Sequence, residues 1–206
     1  MSKTLEIRIR VTPKKLSRAA SQVLEHIDRY DWILFTSKNT VLFFSTQIGK
    51  KKIPQTVRIA AVGPETAKAL RDIKYPVHMV PKKFTVNEMI KGIGNVKGSH
   101  ILFPRSAIAP QDAIKILRAL GTYVRVLPLY TTEAVQLSRT VKLALLQGVY
   151  TRLIFKSPSG VHGLIKQLNS KEKKIVCKIR VQCIGPTTAQ AAKEAGFKNI
   201  SIKRVL

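Results

Sequence analysis

The chain has 206 residues, room for one large domain or two of about 100 residues each. Its 45% hydrophobic content is enough for globular cores and excludes a disordered basic tail. A formal charge of +26, from 37 Lys and Arg against 11 Asp and Glu, attracts anions without saying which: nucleic acid, acidic membrane and a polycarboxylate substrate stay open.

In chain order, residues 5–11 (LEIRIRV) alternate apolar and charged side chains and predict a half-exposed strand. With no unbroken apolar stretch there, a signal peptide is not expected. A basic helix follows over 16–27, then a strand over 32–35, a helix over 39–46, a strand over 58–62 and a helix over 64–73. A short strand is expected over 77–80 and a helix over 85–93 with Thr85 as N-cap. Strands over 100–103 and 124–129 flank a helix over 110–120, which Gly121 ends as a C-cap would. A helix over 140–147 leads to strand 153–155, helix 160–168, strand 179–184, helix 186–195 and strand 200–202. Such alternation with short loops predicts an α/β class of parallel sheets covered by helices on both faces. No run reaches the roughly 20 apolar residues of a membrane span, so membrane insertion is set aside.

Part of this pattern occurs twice. DWILFTSKNTV at 31–41 parallels TRLIFKSPSGV at 151–161, and VRIAAVGPETAKAL at 57–70 parallels IRVQCIGPTTAQAA at 179–192. The two offsets are nearly equal, so a unit has been duplicated and the chain holds two similar lobes. A cleft between such lobes is a favoured ligand site.

The repeats end in four strand-to-helix turns: Thr36-Ser37-Lys38-Asn39, Gly63-Pro64-Glu65-Thr66, Ser157-Pro158-Ser159-Gly160 and Gly185-Pro186-Thr187-Thr188. In open parallel sheets, ligands bind at these carboxyl ends of strands. Proline suits the first helical turn, and the free N–H groups there favour carboxylates or phosphates. The same residues also serve as ordinary helix caps. A helix end contributes only about 0.3–1 kcal/mol per charge, so many weak contacts are needed, which suits a ligand with many carboxylates.

Other chemistries are weaker. His26, His78, His100 and His162 are dispersed without metal-ligand spacing. Cys177 and Cys183 read as one extended region, about 20 Å apart in a single strand, too far for a disulfide. They are expected to be reduced core residues of a cytoplasmic protein, and no metal is expected. Nucleotide fingerprints and a nucleophile elbow are lacking. The charge suits nucleic acid, but aromatic content is 6% and no stacking platform stands out, so nucleic acid is not the expected partner.

DWILFTSKN, AVGPETAKAL, ILFPRS, VLPLYTT, IFKSPSGV and CIGPTTAQAAKEAGF, in that order, resemble the uroporphyrinogen-III synthase family from about Leu5 to the C-terminus. The resemblance implies two flavodoxin-like parallel-sheet lobes joined by a two-strand linker, with an interlobe cleft. Residues 28–132 would form the continuous lobe, and 1–27 with 133–206 the discontinuous one. It implies a cofactor-independent lyase (hydro-lyase) of porphyrin, tetrapyrrole and haem biosynthesis. Such an enzyme closes hydroxymethylbilane to uroporphyrinogen III with loss of water and inversion of the last pyrrole through a spiro intermediate. That substrate bears two acidic side chains on every pyrrole. The family's tyrosine, considered an acid that helps the hydroxyl leave, matches Tyr130, which is also placed to pack at the interlobe linker. Substrate contacts carry over to Thr36, Ser37, Asn39, Gly63, Thr66, Arg105, Ser157, Ser159, Gly160, Gly185, Thr187 and Thr188. A cytoplasmic monomer is implied, with the upstream deaminase as a candidate partner.

The chain departs from the family at both ends. A strand and helix that usually precede the LEIRIRV segment, and a helix that usually follows NISIKRVL, have no match here. Both departures fall on the discontinuous lobe, which predicts an exposed sheet edge, a marginal core or a partner covering the gap. The rival reading is a shortened, inactive relative acting as a basic anion- or RNA-binding module.

Overall fold

In the computed structural model, which describes residues 3–203, the strands form two separate sheets. The elements are β1 (Lys3–Ile7), β2 (Ile9–Pro13), α1 (Arg18–Glu25), β3 (Trp32–Phe35), α2 (Lys38–Ile48), β4 (Arg58–Ala61), α3 (Pro64–Asp72), α4 (Val86–Gly92) and β5 (His100–Ser106). They continue with α5 (Asp112–Ala119), β6 (Tyr123–Ala134), α6 (Arg139–Leu146), β7 (Tyr150–Phe155), α7 (Pro158–Lys166), α8 (Ser170–Val176), β8 (Arg180–Cys183), α9 (Pro186–Glu194) and β9 (Ile200–Ile202). One sheet runs β2-β6-β5-β3-β4 and the other β1-β7-β8-β9.

The chain divides into two units, residues 1–11 with 132–206, and Thr12–Thr131. Residues 12–27, expected in the discontinuous lobe, thus belong to the continuous one. The reason is local: Lys14 N–H bonds the Leu129 carbonyl, Lys51 bonds the Glu25 carbonyl, and Val23, Leu24 and Ile27 are buried. The passage between units falls inside β2 and β6. What reads as a single strand over 5–11 is two, β1 and β2, one in each sheet.

In the continuous unit β3 pairs in parallel with β4 and β5, and β5 with β6. The sequence WILF on β3 is apolar on both sides because both faces of this sheet are buried. Trp32 and Leu34 pack with Ala60, Ile101 and Phe103 against Met89, Ile90, Ile114 and Leu117 of α4 and α5. Ile33 and Phe35 face the other way, where the Phe44 ring of α2 meets Phe35 edge-on at 5.1 Å between centroids. Full burial of such side chains is worth about 1.5–3 kcal/mol each. The expected strand over 77–80 is absent; only an isolated bridge joins Met79 to Ala60. Pro76 and Pro81 bracket the segment, and neither can donate to a ladder.

In the discontinuous unit all strand pairs are parallel, and among the described residues only one face is covered. Ile7, Leu153, Phe155, Val181 and Cys183 share a core with Leu145 of α6, Val161 and Leu164 of α7, Val176 of α8, and Ala191 and Ala192 of α9. The opposite face carries Thr4, Glu6, Arg152, Ile154, Arg180, Gln182 and Ser201, all exposed or part-buried and none in that core. The expectation of helices on both faces fails here. The two β–α–β connections, β7 to β8 and β8 to β9, add strands in one direction, and right-handed crossovers then put their helices on one side.

The two cysteines are not in one extended segment. Cys177 caps the end of α8, a helix the sequence reading omits, while Cys183 lies in β8; both are free thiols.

Candidate functional site

The duplicated turns adopt matching backbone geometry. Ser37 (φ −160°, ψ 155°) and Ser157 (φ −158°, ψ 159°) both cap a helix, accepting hydrogen bonds from the backbone N–H of Thr40 and Gly160. Gly63 (φ −166°, ψ 174°) and Gly185 (φ −161°, ψ 166°) each precede a proline in the first helical turn. These φ values are ordinary extended backbone. Neither strain nor space demands glycine there: a Cβ on Gly63 would meet Phe84 Cβ at 3.4 Å, an ordinary contact, and one on Gly185 would meet open space. Capping thus accounts for both serines, as their residue type predicts.

Ser37 does more than cap. In the continuous unit its Oγ lies 2.9 Å from Thr40 Oγ1 and 3.1 Å from the Tyr130 hydroxyl, and Thr40 Oγ1 is 3.3 Å from that hydroxyl. Three hydroxyls form a closed triangle at the carboxyl end of β3. Tyr130 reaches it from β6, its ring stacked on Phe43 at 5.0 Å between centroids, and is 6% exposed. Each hydroxyl can both donate and accept, so the phenol proton has somewhere to go and something to replace it.

Arg105, on β5, lies within electrostatic reach of Tyr130. The register places Ser106 opposite Tyr130, and the Tyr130 carbonyl accepts from Ala107 N–H at 2.7 Å. Arg105 is 5% exposed; its Nη2 donates to the Pro110 carbonyl, its guanidinium lies over Phe103, and its buried Nη1, like the Ser106 Oγ, has no partner among the described residues. Burial pushes its pKa below the usual arginine value, against the opposing pull of Tyr130 and Asp112. A buried guanidinium with a spare donor is the group best suited to a carboxylate.

In the discontinuous unit Ser159 Oγ pairs with Thr132 Oγ1 at 3.0 Å. The Gly160 N–H is spent on Ser157, and a Cβ there would point at Phe155 and the Ile7 carbonyl, so Gly160 faces the sheet. Thr188 is buried and Thr187 exposed at the head of α9. In the continuous unit Thr36 and Asn39 are part-buried beside Ser37, and Thr66 is buried in α3. The structure therefore brings Ser37 and Tyr130 together with Thr40, and sets Arg105 within electrostatic reach of Tyr130; in the discontinuous unit Ser157 caps α7 and Ser159 pairs with Thr132. Thr40, Phe43 and Ser106 are absent from the sequence-derived candidates. Thr40 had a legible signal, standing three residues after the cap Ser37, where the N3 N–H meets the cap oxygen.

The family described as Uroporphyrinogen-III synthase HemD matches residues 8–205. The "Porphyrin biosynthesis protein HemD" of Ruminiclostridium josui is 30% identical over 93% of this chain, which spans 39% of that protein's length. A "Putative uroporphyrinogen-III synthase" of Methanothermobacter thermautotrophicus is 25% identical over 89% of this chain and 76% of its own. Among solved structures, a mutant uroporphyrinogen III synthase from the extremely thermophilic bacterium Thermus thermophilus aligns with TM-score 0.71 and 17% identity, over 94% of this chain and 81% of its own. Uroporphyrinogen-III synthetase from Helicobacter pylori 26695 aligns with TM-score 0.65 and 17% identity, over 100% of this chain and 95% of its own. At such identity the structures establish a shared α/β fold with parallel sheets, and the family match, covering nearly the whole chain, establishes that this chain belongs to the uroporphyrinogen-III synthase family.

Proposed function

We propose that this chain is itself a uroporphyrinogen-III synthase, a lyase that closes hydroxymethylbilane with loss of water and inversion of the last pyrrole, without a cofactor. The observation that carries the reading is the family match from residue 8 to 205, together with a buried phenol–hydroxyl cluster at the carboxyl end of the strands. Tyr130 gives its proton to the departing hydroxyl, which leaves as water, while Ser37 and Thr40 hold the phenol in place and re-protonate it. Arg105, through its spare Nη1, holds a substrate carboxylate next to the reacting end. Within each unit taken by itself, the helix N-termini (at Ser37 and Gly63 in one, at Ser157 and Gly185 in the other), with the side chains of Thr36, Asn39, Thr66, Ser159, Thr187 and Thr188, are the groups proposed to meet carboxylates, while Gly160, its N–H spent on Ser157, serves the cap alone.

Most of the acceleration comes from positioning. Water competes with the correct ring carbon for the cation left after dehydration, and a bound, folded bilane presents that carbon at high effective concentration. The protein works in the cytoplasm as a monomer that receives its substrate from the deaminase upstream. No helix among the described residues is long and apolar enough to cross a membrane.

The test couples the purified chain to a bilane-generating deaminase and separates the oxidised porphyrin isomers. Unassisted closure gives type I. A type III product establishes the activity; type I alone from folded protein sinks the reading and favours an inactive anion-binding relative.

A further inference from the structure

The two copies of the duplicated unit treat one sheet face in opposite ways. In the continuous unit, Trp32, Leu34 and Ala60 lie on a face buried under α4 and α5, and Arg58 stacks over Trp32 at 4.4 Å from the ring centroid. The equivalent residues of the discontinuous unit are Arg152, Ile154, Gln182 and Arg180. Their face is open among the described residues. Parallel sheets are almost always covered on both sides, so an open face calls for a partner. Arg152 stands where the other copy has Trp32 and Gln182 where it has Ala60, while Arg180 and Ile154 keep the character of Arg58 and Leu34, so the partner this face suits is not a wholly apolar helix.

The charges on that face do not balance. Arg152 and Arg180 are direct cross-strand partners, an arrangement that like charges disfavour. Among the described residues neither makes an ion pair, and the one carboxylate on the face, Glu6, is taken by Lys156 at 3.0 Å. Lys198 and Lys203 join the two arginines around a concavity of about 590 Å³, whose rim adds the neutral donors Gln182, Asn199 and Ser201. Part-buried Ile154 sits in the same row as Gln182 and Ser201 and gives the face one apolar point. None of these residues belongs to the strand-to-helix turns proposed to hold substrate.

We propose that this open face of β1-β7-β8-β9 docks an acidic protein segment, a Glu- or Asp-rich helix with a narrow apolar stripe. Its carboxylates bridge Arg152 and Arg180 and reach Lys198 and Lys203, and its stripe covers Ile154. Fork-shaped guanidinium groups match carboxylates, and the bridging turns a repulsive pair into an attractive site. A second copy of the chain is disfavoured, because it would bring a face of the same sign. Single-stranded nucleic acid is less well matched, since the concavity has no aromatic ring on which a base can stack.

The test measures fluorescence anisotropy of a labelled amphipathic peptide of Glu, Leu and Ala, about 20 residues long, with the full chain at about 0.15 M salt, where diffuse charge is largely screened. A labelled single-stranded RNA of equal length is run alongside. R152E/R180E is compared with K82E/K83E, which changes net charge equally at exposed positions in the other unit. The expected result is a loss of peptide affinity of about tenfold or more for the first and under about threefold for the second, both melting like the parent. If the glutamate pair fails to fold, R152Q/R180Q carries the comparison. Equal losses for the two variants, no peptide binding by the parent chain, or tighter binding of RNA that depends on the arginine pair each overturn the proposal.

Discussion

Removing the Tyr130 hydroxyl separates its chemical role from its structural one. In Tyr130→Phe the ring stays stacked on Phe43, since the stacking needs no hydroxyl. Ser37 Oγ keeps the Thr40 N–H and the Thr40 hydroxyl, so no buried partner is stranded. The stability cost is then that of ordinary hydrogen bonds, about 0.5–1.5 kcal/mol, or about 1–6 °C of melting temperature. If the phenol is the acid, turnover falls about tenfold to a hundredfold, at or below the low end for a positioned acid, which is about 1.4–2.7 kcal/mol of barrier. Ser37→Ala is the matched control. It removes a helix cap, worth about 1 kcal/mol, yet leaves the phenol and its Thr40 partner. Stability should therefore fall further in Ser37→Ala, and turnover further in Tyr130→Phe. The assay is single-turnover formation of type III porphyrinogen alongside thermal melts. A Tyr130→Phe variant with unchanged turnover and the expected small melting shift would refute the assignment and leave the hydroxyl as a structural brace.

Arg105→Met should raise the KM for the bilane about tenfold or more while leaving the melting temperature unchanged or higher, because a buried charge with an unused donor is replaced by an apolar chain of similar volume; an unchanged KM removes Arg105 from substrate binding. Gly163→Ala should destabilise by about 1–3 kcal/mol, since the new Cβ would collide with the Ala134 side chain and lie 3.1 Å from its backbone nitrogen; a melt unchanged from the parent would show that α7 shifts freely. Glu172 is held below the usual carboxylate range by Lys142, 2.9 Å away, and by the Asn169 N–H. Its stabilising contribution is therefore complete above the ordinary carboxylate pKa and is lost as pH falls through the lowered folded value. Melting curves from neutral to about pH 3 should show Glu172→Gln less stable at neutral pH and converging with the parent in acid; a constant gap across that range refutes the linkage.

Much of the fold could be read because its local signals agree. Ser37, Thr85 and Ser157 cap helices where the sequence places them, and Gly121 adopts φ +77° at the end of α5. The α/β class follows from the alternation itself. Helix α8 was legible too: Asn169 and Glu172 form a capping box in the sequence NSKE, hidden because the two cysteines beyond drew the segment into a strand. The split of 5–11 into two strands was not legible, because alternation reports that a residue faces a core and not which sheet it joins. The triangle of Ser37, Thr40 and Tyr130 joins residues ninety and more positions apart, and only the crossing of β6 beside β5 and β3 brings them together. The turns could be named as candidates, but the phenol's partners could not. Arg105 could be named only from the family motif, since its burial and spare donor follow from packing.

The duplication bears on why the proposed acid, Tyr130, has no counterpart braced in the same way in the other unit. Residues 31–41 and 151–161 align so that Ser37 falls on Ser157 and Thr40 on Gly160. The serine cap is kept in both, so both units retain a helix N-terminus able to face an anion. The hydroxyl that braces a phenol is kept in one, because Gly160 has no side chain and Ser159 turns instead to Thr132. Under the proposed mechanism one proton donor is enough, because only one hydroxyl is lost, and a second acid would protonate pyrrole carbons that must stay nucleophilic. Restoring the lost hydroxyl with Gly160→Thr therefore tests whether the asymmetry matters. The added atoms point at Phe155 and the Ile7 carbonyl, so α7 must move outward and stability should drop by about 1–3 kcal/mol. Turnover per folded molecule should not rise, since no phenol stands opposite; a gain in type III formation would overturn the division of labour.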